Sequence, residues 1–295
     1  MPNSVVITKA DCINLNNGNN TFVYNFPHPV RFEKGEQVAL ESVSINYSWE
    51  NVNSDVHNNN TFEYDWIVGG TTTTNTVTIP NGLWELEDIN AYLQYLFILR
   101  GQYLVNANGQ NVFYAEFVVN ANQHAFQLNT YPVPTSLPSG FTAPSADTAT
   151  GAVAWLGYPT TTYNPNIKMV SGNNFYELIG FSSSFESGTN SGNGTNLSFL
   201  STSPPEIHPN QNIFIALQNI DNPYANPTSI IHNLVADGAF GTQVVDRPSE
   251  FAYQKLTRGQ YSSLRLQILG SDLKPLKIED PDTVIVLLIK GQGNI

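Results

Sequence analysis

Near its carboxyl end the chain reads YSSLRLQILGSDLKPLKIEDPDTVIVLLIK, which spans Tyr261–Lys290. In Ser262–Leu269 leucine and isoleucine alternate with polar residues, which is the period-two pattern of a strand with one buried face. Gly270–Lys274 has the composition of a hairpin-type turn. Thr283–Lys290 is a nearly continuous apolar run of strand length. This stretch predicts two antiparallel strands joined by a tight turn.

Six further segments have the β-branched and aromatic content, or the alternation, of strands. Three lie before residue 70 and three after residue 205; they are Thr21–Phe32, Gln37–Trp49, Thr61–Val68, Asn212–Asn219, Ser229–Ala236 and Glu250–Thr257. Together with the two strands above, they make eight antiparallel strands with long connections. We therefore predict a mainly β protein whose body is a single eight-stranded antiparallel jelly-roll sandwich.

The block between residues 71 and 205 differs from the rest of the chain in its composition and in its hydrophobic pattern. Glu85–Leu99 is its one clear helix, because apolar residues recur there at spacings of three and four. Val112–Val119 and His124–Thr130 are predicted to form a hairpin, and Asn174–Phe181 one helical turn that ends at a glycine. Ser182–Pro205 is rich in Ser, Gly and Asn and is predicted to be a mobile or partner-ordered loop.

This change in composition and pattern along the chain predicts two domains. We predict a discontinuous jelly-roll domain, residues 1–70 and 206–295, and an inserted, mostly β outer domain with one helix, residues 71–205. The ends of such an insertion are expected to lie close together, because the host domain must close around it.

The charge balance excludes several classes of partner. The 295 residues carry 12 basic and 24 acidic side chains, a net charge of −12. A nucleic-acid binder needs a cationic surface, so no direct nucleic-acid binding is expected. No apolar stretch is long enough to span a bilayer, no secretory signal is recognisable in Met1–Ala10, and Cys12 alone forms no internal disulfide. No membrane insertion is expected.

Uncharged polar residues take the place of charges on this chain. It has 36 Asn and 24 Thr, while only 12% of its residues are charged. Amides and hydroxyls can be buried against another subunit without the desolvation cost of ions, so the composition suits a surface covered in an assembly. Codon usage in an AT-rich genome would explain the asparagines equally well.

The sequence contains no recognisable constellation for catalysis, cofactor binding or metal binding. Its histidines are scattered: His28 and His208 each precede a proline in predicted turns, and His232 alternates with apolar residues in a strand. The acidic run Glu279-Asp280-Pro281-Asp282 could supply calcium oxygens, but a solvated turn is the preferred interpretation. We predict no catalytic, cofactor-binding or metal-binding residues, no cofactor and no enzymatic activity.

Two other groups of residues have simpler explanations than a functional site. Glu85, Glu87 and Asp88 resemble a carboxylate pair for glycoside hydrolysis, but electrostatics at a helix start explains them. The four tryptophans could form a platform for stacking sugars, although core positions are the preferred interpretation. They are Trp49, Trp66, Trp84 and Trp155.

Three segments carry a resemblance to a known family. Tyr261–Lys290 resembles the closing hairpin of capsid proteins of the tectivirus–adenovirus lineage. Thr76–Leu96 (TVTIPNGLWELEDINAYLQYL) is similar to the strand and helix entry of penton proteins from virophages and Maverick/Polinton elements, the mavirus-like type. Asn174–Phe181 (NFYELIGF) resembles their short helical turn. The three segments cover about a fifth of the chain, and the resemblance is mostly one of pattern.

This resemblance implies a structural virion protein. It would be a minor capsid (penton) protein that forms a homopentamer at the icosahedral five-fold vertices and contacts the major capsid protein. It would be assembled in the host cytoplasm, and a host surface receptor is a further candidate partner. The alternative is a carbohydrate-binding or host-receptor-binding module on the same scaffold, since fold alone does not separate these functions.

Overall fold

A computed structural model of the chain describes residues 3–15, 19–207, 212–237, 241–271, 273–278, 280 and 282–291. Antiparallel strands dominate this part of the chain. The strands are β1 (Asn3–Thr8), β2 (Cys12–Leu15), β3 (Asn19–Phe32), β4 (Gln37–Asn46), β5 (Thr61–Val68), β6 (Thr71–Thr78), β7 (Leu104–Val105), β8 (Asn111–Val112), β9 (Ala115–Asn120), β10 (Ala125–Thr130), β11 (Asn166–Met169), β12 (Leu197–Leu200), β13 (Asn212–Leu217), β14 (Ile230–Val235), β15 (Gln243–Asp246), β16 (Gln254–Lys255), β17 (Gly259–Leu269) and β18 (Val284–Lys290). The helices are α1 (Leu86–Leu99) and α2 (Phe175–Ile179), and short 3-10 turns span Lys9–Asp11 and Ala121–Gln123.

The chain divides into two compact units. Met1–Glu50 with His208–Ile295 is called here the jelly-roll unit, and Asn51–Ile207 the inserted unit. The predicted division, at residues 70 and 205, places the first boundary twenty residues later than the structure does. The difference comes from Thr61–Val68, which is β5 and pairs with β6 and β11. That strand belongs to the inserted unit and is not one of the sandwich strands.

The strand order of the jelly-roll unit confirms the predicted fold. One sheet has the order β1-β18-β4-β15, with β16 also pairing with β4, and the other has the order β14-β13-β17-β3-β2. The eight main strands are lettered B to I in chain order: β1, β3, β4, β13, β14, β15, β17 and β18. With these letters the two sheets have the orders B-I-D-G and C-H-E-F. This is the arrangement of a jelly roll, with two Greek keys wrapped into one sandwich. The inserted unit leaves the sandwich between strands β4 and β13.

The long strands β17 and β18 are correctly predicted, but they do not pair with each other as a hairpin. Strand β17 pairs with β13 and β3, while β18 pairs with β1 and β4 in the other sheet. The predicted turn is present, since the amide of Gly270 donates to the carbonyl of Lys274 at 2.8 Å. After a short return along β17, the chain crosses to the opposite sheet. Sequence periodicity cannot distinguish these two routes, because both need the same alternation.

The eighth sandwich strand is β1, which the sequence analysis did not identify. Its Val5 and Ile7 are buried, and it forms the edge of the B-I-D-G sheet by pairing with β18. Buried rows from the two sheets meet in one core, and its largest fully buried side chains include Phe22 and Phe32. The predicted count of eight is therefore right, but two members differ: β1 takes the place of Thr61–Val68, and β15 takes the place of Glu250–Thr257. Of Glu250–Thr257 only Gln254–Lys255 form a strand, the short β16, because the rest of that segment has no neighbouring strand to pair with.

The inserted unit is built from short strands around an aromatic core. Its sheets have the orders β11-β5-β6, β12-β10-β9 and β7-β8. Helix α1 buries Ile89, Leu93 and Phe97, which confirms the helix predicted from their spacing. The predicted hairpin is β9 with β10, although its first strand begins at Ala115 and Val112 belongs to β8. The predicted helical turn is α2, which ends at the left-handed Gly180. No helix in the described part of the chain is long and apolar enough to cross a membrane.

The segment Ser182–Pro205 is not the loop that its composition predicts. Its residues Leu197–Leu200 form β12, which extends the sheet by pairing with β10. Phe185 packs between Phe181, at 4.4 Å between ring centroids, and Phe199, at 5.6 Å. Tertiary contacts of two aromatic residues therefore override a low-complexity composition.

Candidate functional site

One face of the B-I-D-G sheet combines exposed valines with small hydroxyl residues. The residues opposite one another across the sheet form one row of Thr8, Val284, Ser44 and Val245, and a second row of Val6, Val286 and Ser42. Residues directly opposite one another in neighbouring strands lie on the same face. These seven residues are called here the valine–serine face, and none of them is ionisable.

The valine–serine face is apolar where a solvated sheet is normally polar. Val6 is 50% exposed, Val245 54% and Val284 36%, whereas the alternate residues of the same strands form the core. An antiparallel sheet with one wet face usually carries polar residues there, and contiguous exposed apolar residues mark interaction surfaces. Full burial of one valine side chain contributes about 1.5–3 kcal/mol. The face is therefore suited to packing against a flat, uncharged partner surface.

An apolar groove is the second candidate site and lies in the inserted unit. It has a volume of about 350 Å³ and is lined by aromatic residues, prolines and one valine: Val112, Phe113, Tyr114, Tyr131, Pro132, Pro134, Pro138 and Phe141. Its size lies within the range of small-ligand sites. Phe113, Tyr131 and Phe141 also pack on the core of the unit, so the floor of the groove is continuous with that core.

A carboxylate adjoins this groove. The hydroxyl of Tyr131 donates a hydrogen bond to Glu116, which also accepts one from the side chain of Asn129 at 3.3 Å. Burial, together with the neighbouring carboxylate of Glu116, raises the pKa of Tyr131 to about 12. The tyrosine is therefore a neutral donor at physiological pH, and it positions the charge of Glu116 at the end of its own ring.

The inserted unit carries most of the net charge of the protein. Residues 51–207 contain 11 acidic and 2 basic residues, a charge of −9, whereas the rest of the chain contains 13 acidic and 10 basic residues, a charge of −3. Both cations of the inserted unit are engaged. Lys168 forms an ion pair with Asp65 at 2.8 Å, and Arg100 donates to the hydroxyl of Tyr64 at 2.8 Å. The unit therefore favours cationic partners.

The Asp65–Lys168 ion pair has a structural role. Burial opposes the charge of Asp65, but hydrogen bonds from Lys168, Thr74 and Asn166 outweigh it and hold its pKa below the usual value. Asp65 lies on β5, Thr74 on β6 and the other two partners on β11, so the carboxylate ties together all three strands of that sheet. All three partners are side chains of the same sheet, so the ion pair is part of the fold.

The structure does not bring the histidines of the sequence into one site. His28 lies within β3, where the register with β17 shifts, rather than in the predicted turn, and His208 lies outside the described residues. His57 and His124 occupy separate turns of the inserted unit. His232 on β14 contacts Asp246 on β15 at 2.5 Å, which connects the two sheets. Among the described residues, no three His, Cys, Asp or Glu side chains are grouped to hold a metal ion.

The acidic run before the last strand is not simply a solvated turn. Asp280 is only 2% exposed, and its two oxygens accept four hydrogen bonds. The donors are the amide and side chain of Asn46, the amide of Asp282 and the hydroxyl of Thr283, at 2.7, 2.9, 2.7 and 3.2 Å. Glu279 and Pro281 lie outside the described residues. The carboxylate of Asp280 is thus used to join the end of β4 to the start of β18.

The remaining sequence candidates have structural roles. Glu85 and Asp88 form a capping box at the start of α1, in which the amide of Glu85 donates to Asp88 at 3.2 Å. Trp49 is 3% exposed and Trp66 1% exposed, so neither offers a stacking surface to a sugar. Trp84 and Trp155 are partly buried and pack against the core of the inserted unit.

Sequence reasoning missed both candidate surfaces, although each left a signal. The run Thr283–Lys290 is apolar on both faces, which is unusual for a strand with one wet side. For the groove, the signal is the aromatic and proline spacing of Tyr131–Phe141 (YPVPTSLPSGF). Its prolines and glycine are typical of a connection between elements, yet its Val133 is fully buried.

Comparison with known proteins gives structural matches but no sequence-family match. No protein-family model and no curated protein matches the chain. Among solved structures, the chain is similar to the mavirus penton protein at 10% identity, with a TM-score of 0.42, over 98% of both chains. It is also similar to a protein in the cryo-electron microscopy structure of the Sputnik virophage at 12% identity, with a TM-score of 0.33, over 98% of both chains. Neither similarity assigns a role to any residue of this chain.

Proposed function

We propose that this protein is a structural virion protein, a minor capsid (penton) protein that forms pentamers at the five-fold vertices. The observation that carries the proposal is the valine–serine face. Its seven residues carry no ionisable group, and three of its valines are exposed in the single chain, so it meets the needs of a subunit that is completed by neighbours. A ring forms when such a face meets a different surface of the next copy and the rotation closes.

Two further features support this function. The jelly-roll unit is compact by itself although the inserted unit interrupts it in the chain between β4 and β13, so the sandwich has its own surfaces for contacts in a shell. Two of the segments that resemble penton proteins also have the local structure that the resemblance implies. The segment Thr76–Leu96 contains the end of β6 and most of α1, and the segment Asn174–Phe181 contains α2 and its terminal glycine.

The finer points of the proposal concern partners and place. We propose that the neighbours are four further copies and the major capsid protein, within a virion assembled in the host cytoplasm. The charge of −9 on the inserted unit disfavours contact with packaged nucleic acid. In this arrangement the protein catalyses no reaction, and its function is to close a vertex.

The test is the oligomeric state of the purified full chain. Native mass spectrometry is expected to give five copies of the 32.5 kDa chain, and negative-stain images are expected to show five-fold rings. The double change Val245→Lys and Val284→Lys should abolish the ring, because two ammonium groups would then need desolvation at the contact. The melting temperature should change little, since both side chains are exposed.

The matched control is Val119→Lys. Val119 is also an exposed strand valine, at 51%, but it lies on β9 of the inserted unit. Rings that persist in the control and disappear in the double variant support the proposal. A strict monomer at high concentration, both alone and with the major capsid protein, contradicts the capsid role. Rings that persist in the double variant contradict the assignment of the valine–serine face.

A carbohydrate-binding function is the second candidate, and one observation favours it. A cleft of about 560 Å³ in the inserted unit is lined mainly by amides and hydroxyls, with Tyr176 and Glu186 among them. Such groups can hydrogen-bond to sugar hydroxyls while an aromatic ring covers a sugar face. Glycan-array binding that is lost on Tyr176→Ala would support this function. Binding to no glycan on the array would exclude it for the glycans tested.

A further inference from the structure

We propose that the apolar groove of the inserted unit binds an extended, proline-rich peptide segment that carries a lysine or arginine. The groove is the one lined by the eight residues from Val112 to Phe141 given above, and Glu116 is the carboxylate that adjoins it. This inference concerns a partner protein other than a copy of this chain, and it does not depend on the capsid role.

The lining determines the apolar part of the ligand. Four aromatic rings and three prolines form the walls, and together they offer flat, rigid surfaces with few hydrogen-bonding groups. A polyproline II segment is extended, has no internal hydrogen bonds and presents ring surfaces, and grooves lined with aromatic residues bind it for these reasons.

The walls of the groove are held in place before any ligand arrives. The amide of Tyr131 donates to the carbonyl of Tyr114 at 2.8 Å, which joins its two sides. Thr142 exchanges backbone hydrogen bonds with Val105, at 2.8 and 2.9 Å, directly after Phe141. A preformed groove loses little conformational entropy on binding, which favours recognition of a peptide that is itself stiff.

Charge determines the polar part of the ligand. Glu116 shares a hydrogen bond with Tyr131, one of the groove residues, and the unit around it has a net charge of −9. Residues 51–207 contain two basic residues, Arg100 and Lys168. Arg100 already hydrogen-bonds to Tyr64, and Lys168 is already paired with Asp65. An acidic peptide would be repelled, whereas a basic side chain beside the prolines gains a charge-assisted contact.

The experiment measures binding of labelled peptides to the full-length protein by fluorescence anisotropy. The probes are a short polyproline peptide that ends in arginine, the same peptide ending in glutamate, and a peptide with glycine and serine in place of the prolines and arginine retained. We expect the first probe to bind at least tenfold more tightly than either of the others. Its binding should weaken as salt rises, because part of the affinity is electrostatic.

Two groove variants separate the apolar and the charged contributions. Phe141→Ala should weaken the arginine probe at least tenfold. Glu116→Gln, which keeps the acceptor for Tyr131, should remove most of the advantage of arginine over glutamate and leave the melting temperature unchanged. Glu87→Gln is the control, since Glu87 is an exposed carboxylate on α1 of the same unit. This control should bind like the unchanged protein.

The proposal is overturned by any of three results. The first is no saturable binding of the arginine probe up to about 1 mM peptide. The second is equal binding of the glycine–serine probe, which would mean that charge alone attracts the peptide. The third is unchanged binding in both Phe141→Ala and Glu116→Gln, which would place the peptide elsewhere on the protein.

Discussion

The two units of this protein satisfy their backbone polar groups in different ways. The jelly-roll unit uses long strands, such as β3 with 14 residues and β17 with 11, whose ladders pair most of their own amides and carbonyls. The strands of the inserted unit have two to eight residues, and long connections join them. A buried connection without a ladder needs other hydrogen-bond partners.

Asparagine side chains supply those partners in the inserted unit. Among the described residues, seven asparagines are buried, and all of them lie in this unit: Asn51, Asn53, Asn59, Asn60, Asn164, Asn166 and Asn173. Asn51, for example, donates to the carbonyls of Trp84 and Ile207 and accepts from the amide of Trp84. Part of the high asparagine content therefore serves to hydrogen-bond buried backbone groups. This is a third explanation, beside an assembly surface and codon usage.

The largest expected effect comes from deleting Ser182–Pro205 and joining the ends with a short Gly-Ser linker. The deletion removes β12, two core aromatics and the buried Ser187, whose hydroxyl accepts from the amide of Ile167 at 2.8 Å. The inserted unit should lose its native fold while the jelly-roll unit keeps its own. Hydrogen exchange should show lost protection in β5 and β10 and retained protection in β17 and β18.

The control for this deletion replaces the exposed turn Asp147–Gly151 of the same unit with two glycines. This turn lies outside the core, so protection of β5 should be unchanged. Native protection of β5 after the Ser182–Pro205 deletion would mean that its aromatic contacts are dispensable. Lost protection of β17 would mean that the two units fold as one.

A smaller effect is expected for Asp280→Ala, which tests how the jelly-roll unit joins its strands. The change leaves donors of Asn46 and Thr283 without their acceptor and should cost about 3 kcal/mol of unfolding free energy. Urea unfolding measures this cost. Asp282→Ala is the control, because the side chain of Asp282 is exposed, and it should cost less than about 0.5 kcal/mol. Equal costs for the two variants would contradict the role of Asp280.

The smallest effect is expected for Lys168→Met, which tests the polar connection within the inserted unit. It leaves Asp65, whose side chain is 12% exposed, without its cation and should cost about 1–2 kcal/mol at pH 7. The pKa of Asp65 is lower in the folded state than its ordinary value of 3.8. Its stabilisation is therefore present above that pH and is lost as pH falls through the folded pKa.

The difference between Lys168→Met and the unchanged protein should accordingly shrink as the pH is lowered below 3.8. Lys255→Met, at an exposed position on β16, is the control and should change stability little at any pH. A difference that stays constant down to full protonation of Asp65 would show that lost packing of the lysine stem, and not the ion pair, causes the effect.

Prediction from sequence succeeded where neighbouring residues determine the outcome. The bounds of α1, the turn at Gly180 and the hairpin of β9 and β10 follow from periodicity and from glycine position. It failed for β1 and β15, which are too short to be identified as strands from their own residues. It also failed for β5, because eight residues of strand pattern do not indicate which sheet they join. The two candidate surfaces were missed for a similar reason, since exposure of a valine is a property of the assembled sheet.

The sequence by itself determined that this is a β protein with one substantial helix, few charges and an acidic middle, because local propensity and composition carry that information. Only the tertiary structure decided that β17 and β18 belong to opposite sheets, that Asp280 is buried and that Val6, Val245 and Val284 face solvent. These features depend on pairing between residues far apart in the chain. The free energy of such pairing is set by the whole fold and not by any single segment.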